Sequence, residues 1–172
     1  MKTALFIGRF QPMHIGHLKV IKWILKKNYK IIIVIGSSRE SNTEKNPFTL
    51  AERKSMIKNT LKNESIDKSK YKIIEIPDVY DDEVWVSNIL KKAKFDVVFT
   101  KNSWTKRCFD RFNISVKGHP LFGNISASKI RNMMKKDENW EKSVPKEVEK
   151  ILKRINLKER LGVGIFSSLN KL

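Results

Sequence analysis

The sequence predicts an α/β fold in which a doubly wound parallel sheet is followed by a small C-terminal helical region. Two observations indicate this class. Short apolar runs alternate with segments of helical periodicity over residues 1–118, and after Gly118 only helical patterns follow. Strands that alternate with helices at this spacing form right-handed crossovers, which give a parallel sheet covered on both faces.

The first part of the chain predicts two strands and two helices. Thr3–Gly8 is an apolar run that ends in glycine, and residues 16–27 carry apolar side chains at helical spacing. The run 30–36 predicts a second strand, buried on both faces because it is apolar almost throughout. Thr49 with an acid three residues later forms a capping box, so a helix should start there after a loop over 37–48.

The middle of the chain continues the alternation. Helical periodicity predicts helices at 83–94 and 104–112. Apolar runs predict three further strands, at 71–77, 95–100 and 114–117.

Helices and a tail are expected after the last strand. Ser126 is placed to cap a helix that runs through Lys135, and Pro145 suits the first turn of another helix that ends at Ile155. The predicted organisation is one domain over residues 1–172, made of an α/β core at 1–118, C-terminal helices at 119–161 and a tail at 162–172.

The charge balance indicates an anionic partner. Lysine and arginine number 36 against 18 acids, a formal net charge of +18. Nucleic acid or a small phosphorylated substrate would satisfy it. Because the lysines are spread along the chain without interleaved aromatic residues, much of the charge is expected on solvated surface, and a nucleic-acid partner is disfavoured.

The cysteine count and the apolar runs indicate a cytoplasmic protein without a membrane partner. One cysteine, Cys108, can form no internal disulfide, which fits a reducing compartment, and it is expected to be a small core residue. The longest apolar runs fall far short of the roughly 20 residues that span a bilayer, and no signal peptide opens the sequence.

Two of the three histidines, His14 and His17, lie at the junction of the first strand and the first helix. In parallel α/β sheets, ligands bind beyond the carboxyl ends of the strands, where a helix N-terminus offers free N–H groups to phosphate. The segment Gly8–His17 therefore predicts a triphosphate-binding turn, with Arg9 and both histidines as donors. Packed histidines, or a zinc site that would need a third ligand, are the alternatives.

That segment reads Gly-Arg-Phe-Gln-Pro-Met-His-Ile-Gly-His, which resembles the HxGH signature of nucleotidyltransferases that transfer adenylyl or cytidylyl groups. From Phe6 to about Leu161 the chain is similar to the archaeal nicotinamide mononucleotide (NMN) adenylyltransferases. The resemblance implies a Rossmann-like nucleotidyltransferase fold. Its further anchors are Gly36-Ser37-Ser38, Asn46-Pro47-Phe48-Thr49, Ala51-Glu52-Arg53, Trp85-Val86 and Ile125–Arg131.

The resemblance also implies a set of site residues. Those expected to be catalytic are His14, His17 and Arg131. Those expected to bind the phosphates of ATP are Gly8, Arg9, Phe10, Gly16, Lys45, Ser126 and Ser128. Those expected to bind NMN are Asp78, Trp85 and Asn102, with the indole of Trp85 stacked on nicotinamide. From the residues alone, Trp85 also fits a core tryptophan, Asp78 a turn and Ser126 a plain helix cap.

Four lysine or alanine residues depart from the family pattern. Lys45 replaces an arginine, which keeps the charge but loses the bidentate fork. Ala127 replaces a glycine, so its backbone must avoid positive φ. Lys129 replaces an acid in the first turn of the late helix. Lys101 stands where glycine usually precedes asparagine, which leaves the contacts of that loop open.

The resemblance implies transfer of the adenylyl group of ATP to NMN. The phosphate of NMN attacks the α-phosphorus, which forms NAD and releases pyrophosphate. A phosphate monoester with a second pKa of about 6 is largely anionic near neutral pH, so no general base is required. Mg²⁺ is expected to arrive with ATP rather than at a metal site of the protein. The family further implies a homo-oligomer, with a hexamer as the expected form.

Other functions fit parts of the pattern. The acceptor could be nicotinic acid mononucleotide, phosphopantetheine, flavin mononucleotide or a polyol phosphate. His14 to His17 also spell the HIGH motif of class I aminoacyl-tRNA synthetases, although 172 residues leave no room for their additional domains. A non-catalytic nucleotide-binding or RNA-binding module is the alternative outside the enzymes.

Overall fold

The computed structural model describes residues 1–163 of the chain. Five strands form one sheet, and every pair of neighbours is parallel. The strands are β1 (Thr3–Gly8), β2 (Lys30–Ile35), β3 (Tyr71–Glu75), β4 (Val97–Phe99) and β5 (Val116–Lys117). Their order, β3-β2-β1-β4-β5, is doubly wound about β1, so the predicted fold class is confirmed.

Helices connect and follow the strands. Over residues 1–163 they are α1 (Ile15–Lys26), α2 (Leu50–Asn63), α3 (Asp82–Lys92), α4 (Ser103–Asp110), α5 (Ala127–Lys135), α6 (Lys146–Leu152) and α7 (Leu157–Arg160), with 3₁₀ turns at Lys68–Lys70 and Glu141–Ser143. None of the helices in this part of the chain is long and apolar enough to cross a membrane.

The helix starts predicted from capping residues are confirmed. Thr49 Oγ1 accepts a hydrogen bond from the backbone N–H of Glu52 at 3.2 Å, and Glu52 Oε2 accepts from the N–H of Thr49 at 2.7 Å. Ser126 Oγ accepts from the N–H of Lys129 at 3.2 Å. Each contact spans three residues, so a local pattern is sufficient to predict it.

The C-terminal helices differ from the prediction in three details. Pro145 is the N-cap of α6 rather than a residue of its first turn, and α6 ends at Leu152 rather than at Ile155. The short α7 was not predicted; the side chain of Asn156 caps it by accepting from the N–H of Glu159 at 3.4 Å. Of the predicted tail at 162–172, residues 164–172 lie outside the described residues.

The chain divides into two compact units. Unit 1 comprises residues 1–9, 17–39 and 66–122, and unit 2 comprises 10–16, 40–65 and the chain from Gly123 onward. Both units are discontinuous in sequence, because the chain passes between them several times. A single domain over 1–172 stays a prediction.

Unit 1 contains the whole sheet and a buried apolar cluster on one of its faces. Strand residues such as Leu5, Val34 and Val98 pack there with residues of α3 and α4. Cys108 is one of them at 1% exposure, and burial, as the largest cause, raises the pKa of its thiol to about 11. Its predicted place in the core is confirmed.

Unit 2 is helical, with α2 packed on α6 and α5 on α7. A fully buried arginine, Arg53, holds the segment that precedes α2. Its guanidinium donates to the carbonyl oxygen of Thr49 at 3.4 Å and to that of Glu40 at 3.3 Å. A buried guanidinium bonded to backbone carbonyls fixes loop residues rather than a ligand.

Candidate active site

The carboxyl ends of the strands in unit 1 provide the expected ligand-binding edge. β2 and β3 lie on one side of β1, and β4 and β5 lie on the other. The switch point of the sheet is therefore between β1 and β4. Gly8 ends β1, Arg9 follows it, and Asn102 follows β4. In open parallel sheets, this is the position at which nucleotides bind.

The turn after β1 holds a strained aromatic residue. Phe10 has a φ of +52°, a left-handed conformation that is costly for a bulky side chain. It is 1% exposed, so buried packing holds it in place. The Gln11–Pro12 peptide bond that follows is cis. Phe10 therefore shapes the turn by packing, and its contact with phosphate stays a prediction.

Gln11 links two distant segments to this turn within unit 2. Its side chain is 1% exposed, and its Nε2 donates to the carbonyl oxygen of Phe48 at 3.0 Å. The N–H of Phe48 donates to Gln11 Oε1 at 2.8 Å. The carbonyl oxygen of Gln11 accepts from Arg131 Nη1 at 2.8 Å. Sequence reasoning quoted Gln11 within the motif but gave it no role.

His14 directly precedes α1 and is buried at 8% exposure. Burial lowers the pKa of its imidazole to about 4, so the ring is neutral near neutral pH and can donate one N–H and accept at the other nitrogen. A Cβ on Gly16 would lie 3.0 Å from both Cε1 and Nδ1 of this ring. A side chain at position 16 would therefore be tight unless the ring of His14 moved by a few tenths of an ångström.

His17 lies in the first turn of α1 and belongs to unit 1. Its ring packs edge-on against Phe6, with centroids 6.2 Å apart. The third histidine, His119, packs on the same phenyl ring at 5.8 Å, and its Nδ1 is 3.0 Å from the carbonyl oxygen of Pro120. The structure thus brings His119 to the ring that holds His17. Sequence reasoning missed it, since it lies 102 residues from His17 and in no motif.

The start of α5 matches the second predicted phosphate-binding segment. Ser126 Oγ caps the helix as an acceptor, which leaves its O–H available as a donor. Arg131 is 8% exposed, and its Nη2 donates to Ser128 Oγ at 3.4 Å. Ala127 opens the helix and is not among the described residues with positive φ, as expected. The side chain of Lys129 reaches back to the residues before the helix, where its Nζ donates to Asn124 Oδ1 at 2.6 Å.

A cavity of about 210 Å³ in unit 2 brings several of these residues together. It is lined by Glu44, Lys45, Ser128, Arg131, Asn132 and Lys135. The ammonium group of Lys135 pairs with the carboxylate of Glu44 and, with a smaller contribution from Arg131, holds the pKa of that carboxyl below its usual range. Three cationic side chains around one small cavity are suited to phosphate. Asn132 and Lys135 were not predicted as site residues.

The aromatic side chains of unit 1 include the predicted stacking residue. Trp85 is 3% exposed and lies in the apolar cluster, while the ring of Trp104 covers it at a centroid distance of 4.7 Å. Its indole N–H is buried and has no hydrogen-bond partner among the described residues. Trp104 is 38% exposed, and its Nε1 donates to Asp82 Oδ1 at 3.0 Å. Stacking of Trp85 on a ligand stays a prediction, and Trp104 is the more exposed ring of the two.

The other two residues predicted for NMN are exposed in unit 1. Asp78 follows β3 and is exposed. Asn102 is the N-cap of α4, and its Oδ1 accepts from the N–H of Thr105 at 2.8 Å. The amide nitrogen of Asn102 is therefore the group that remains for a substrate acceptor.

Comparisons with known proteins identify the family of the chain. The cytidylyltransferase-like family matches residues 5–141. A nicotinamide-nucleotide adenylyltransferase of Saccharolobus solfataricus is 40% identical over 164 residues, which are 94% of this chain and 95% of that protein. One of Thermoplasma volcanium is 42% identical over 156 residues, 89% of this chain and 86% of that protein.

The chain belongs to the nicotinamide-nucleotide adenylyltransferases. Among solved structures, a bifunctional NMN adenylyltransferase/ADP-ribose pyrophosphatase of Francisella tularensis, in complex with AMP and a manganese ion, superimposes with a TM-score of 0.79 at 26% identity. The match covers 94% of this chain and 52% of that one, so the chain spans about half the length of the bifunctional protein. The predicted family and its Rossmann-like nucleotidyltransferase fold are confirmed.

The described residues contain no cluster of potential metal ligands. Within residues 1–163, no three His, Cys, Asp or Glu side chains form a group that could hold a metal ion. Asp81 serves as a helix cap: its Oδ1 accepts from the N–H groups of Glu83 and Val84 at the start of α3, at 2.8 and 2.9 Å.

Proposed function

We propose that the chain transfers the adenylyl group of ATP to NMN, forming NAD and pyrophosphate. The observation that carries this proposal is the buried hydrogen-bonded set of unit 2, in which Gln11 fixes Arg131 beside the cavity that Lys45 and Ser128 also line. The two relatives, at 40% and 42% identity, carry the name of this activity. The buried hydrogen bonds hold one cation, Arg131, in place, which supports the stabilisation of charge that transfer from a triphosphate requires.

The reaction forms a bond between a phosphate oxygen of NMN and the α-phosphorus of ATP, and breaks the bond from that phosphorus to the bridging oxygen of pyrophosphate. The attacking oxygen is already anionic near neutral pH, so the protein has no proton to remove. Its contribution is to hold the reactants in line and to stabilise the charge that builds on the leaving pyrophosphate.

The residues divide these tasks. Arg131, Lys45 and the hydroxyl of Ser128 bind the β and γ phosphates, while backbone N–H groups at the start of α1 face the triphosphate. His14 donates as a neutral imidazole, because burial keeps its pKa at about 4. His17 donates to the α-phosphate, where charge develops as the bond breaks.

A divalent ion is part of the substrate in this proposal. We assign Mg²⁺ to the substrate ATP, where it would offset the negative charge of the triphosphate. The residues described here fit that role, since their cations and hydroxyls bind phosphate oxygens rather than a metal.

Pyrophosphate release from ATP and Mg²⁺ tests the proposal, with NMN and nicotinic acid mononucleotide as acceptors and phosphopantetheine and flavin mononucleotide as controls. Rapid release with a pyridine mononucleotide alone is the expected result, and liquid chromatography should show NAD or its acid analogue. Release only with one of the controls would give the acceptor a different chemistry. ATP binding without release from any acceptor would make the protein a nucleotide binder.

Assembly and location are separate proposals. The family resemblance favours a homo-oligomer, a hexamer in its expected form, and the single cysteine fits a reducing cytoplasm. Light scattering after size-exclusion chromatography would give the mass of the assembly directly.

A further inference from the structure

Unit 1 has a basic surface that contains none of the residues assigned above to adenylyl transfer. A cavity of about 500 Å³ lies at the amino ends of β1, β2 and β3, the edge of the sheet opposite the ligand-binding edge. Six lysines line it and no acid does: Lys30, Lys70, Lys72, Lys91, Lys92 and Lys94. Ammonium groups gathered in this way repel one another unless an anion lies among them.

A second cavity continues this surface along the edge strand β3. It measures about 370 Å³ and shares the side chains of Lys91 and Lys92 with the first. Arg39 adds another cation there, and Glu75 is its one acidic lining residue. β3 ends the sheet, so the two cavities follow a strand with no neighbour on its outer side among the described residues.

Two of the lysines are held in place by the backbone. Lys92 Nζ donates to the carbonyl oxygen of Glu75 at 2.9 Å, and Lys72 Nζ donates to that of Lys92 at 3.4 Å. Neither contact neutralises the ammonium charge, since both acceptors are uncharged. Among the nearby acids, Asp96 accepts from the N–H of Thr3 at 2.7 Å, and Asp67 accepts from that of Ser69 at 2.8 Å with only a minor contribution from Lys70 to its lowered pKa.

We propose that these two cavities form a binding site for linear polyphosphate, running along β3 from Lys30 and Lys70 to Arg39. The charge and the extended course of the lining fit a chain of phosphates better than a single anion. Single-stranded nucleic acid would have similar charge, but its binding normally relies on bases stacked on aromatic side chains. The linings contain one aromatic residue, Tyr71, and otherwise consist of charged, polar and aliphatic residues.

Titration calorimetry of the whole chain with medium-chain inorganic polyphosphate tests the site. The groove variant carries Lys70→Ala, Lys91→Ala and Lys94→Ala. The control carries Lys19→Ala, Lys58→Ala and Lys62→Ala, three exposed lysines outside both cavities, and so has the same net charge. The groove variant should bind at least about tenfold more weakly, with a salt dependence shallower by about two in log–log slope. The control should stay within about twofold of the unmodified protein.

Three results would overturn the proposal. Equal losses in the two variants would mean a general attraction of polyanions to the net charge, and no loss in either would mean that polyphosphate binds elsewhere. Single-stranded RNA that binds as tightly, through the same lysines, would make the surface a nucleic-acid site. Adenylyl transfer by the groove variant should stay unchanged, so the binding result is independent of the function proposed above.

Discussion

In unit 2 two of the predicted catalytic residues, Arg131 and His14, are buried, whereas in unit 1 the residues predicted for NMN are exposed or covered by a neighbour. Arg131 and His14 are each 8% exposed, and Gln11 joins Arg131 to the segment before α2. Asp78 is exposed, and Trp85 lies beneath Trp104. Unit 2 therefore fixes one candidate cation, Arg131, by buried hydrogen bonds, while in unit 1 Trp104 rather than Trp85 is the more exposed ring of the aromatic pair.

Arg131 should give the largest effect if unit 2 is built for ATP. Arg131→Ala removes a buried cation from the cavity, and kcat/KM for ATP should fall by about 10³, the upper range for one charged donor to a leaving group. Arg131→Lys keeps the charge but loses the planar fork that reaches both Gln11 and Ser128, so it should restore little of the loss. Steady-state kinetics with each substrate varied in turn would measure both. Full recovery in the lysine variant would mean that charge alone matters.

A substitution at Gln11 tests whether ATP binding depends on the hydrogen bonds that join this residue to Phe48 and Arg131. Gln11→Met keeps the volume but leaves the N–H and carbonyl of buried Phe48 without their partners, at a cost of about 2–4 kcal/mol in unfolding free energy. Lys45 lies three residues before Phe48, so KM for ATP should rise about tenfold while KM for NMN stays constant.

Thr60→Val is the matched control for Gln11→Met. The Thr60 hydroxyl is buried in α2 of the same unit and has no partner among the described residues. This variant should leave both KM values unchanged. A fall in stability of Gln11→Met without a selective change in KM for ATP would reduce Gln11 to a structural residue.

Local patterns explain what could be predicted from the sequence. The strands and the helix starts depend on apolar periodicity and on contacts over three residues, such as Thr49 with Glu52 and Ser126 with Lys129. The contacts of Gln11 with Phe48 and Arg131 span 37 and 120 residues. No local pattern in the sequence predicts contacts over such separations. The family motif predicted Arg131 and His14 as site residues, but not what holds them.

The same distinction explains the residues that were missed. His119 and Trp104 gain their positions only when β5 and α4 pack in unit 1, against Phe6 and Trp85 respectively. α7 has four residues and no apolar periodicity, and its Arg160 holds Glu52 at 3.0 Å and the carbonyl oxygen of Pro47 at 3.0 Å. Tertiary contacts rather than propensity account for these features.

The buried state of His14 should make stability depend on pH. Its folded-state pKa of about 4 lies below its ordinary value of 6.5, so between these values the unfolded chain binds a proton that the folded protein does not. Stability is therefore lost as pH falls through this window, by about 2 kcal/mol near pH 5. Urea unfolding of the unmodified protein and of His14→Asn at neutral pH and near pH 5 would isolate the contribution. Parallel losses in the two proteins would show that His14 is not the cause.

Trp104 should give the smallest effect and bears on unit 1. Its ring covers Trp85 at 4.7 Å and is the solvent-exposed face of the pair, so Trp104→Ala removes one aromatic contact from the side proposed for NMN. Aromatic pairs contribute about 0.5–1.5 kcal/mol, so KM for NMN should rise about threefold to tenfold, with KM for ATP unchanged. Trp104→Phe, which keeps a ring but loses the N–H that donates to Asp82, should recover most of the affinity. A lower KM for NMN in Trp104→Ala would instead mean that Trp104 shields Trp85 and must move aside before the pyridine ring binds.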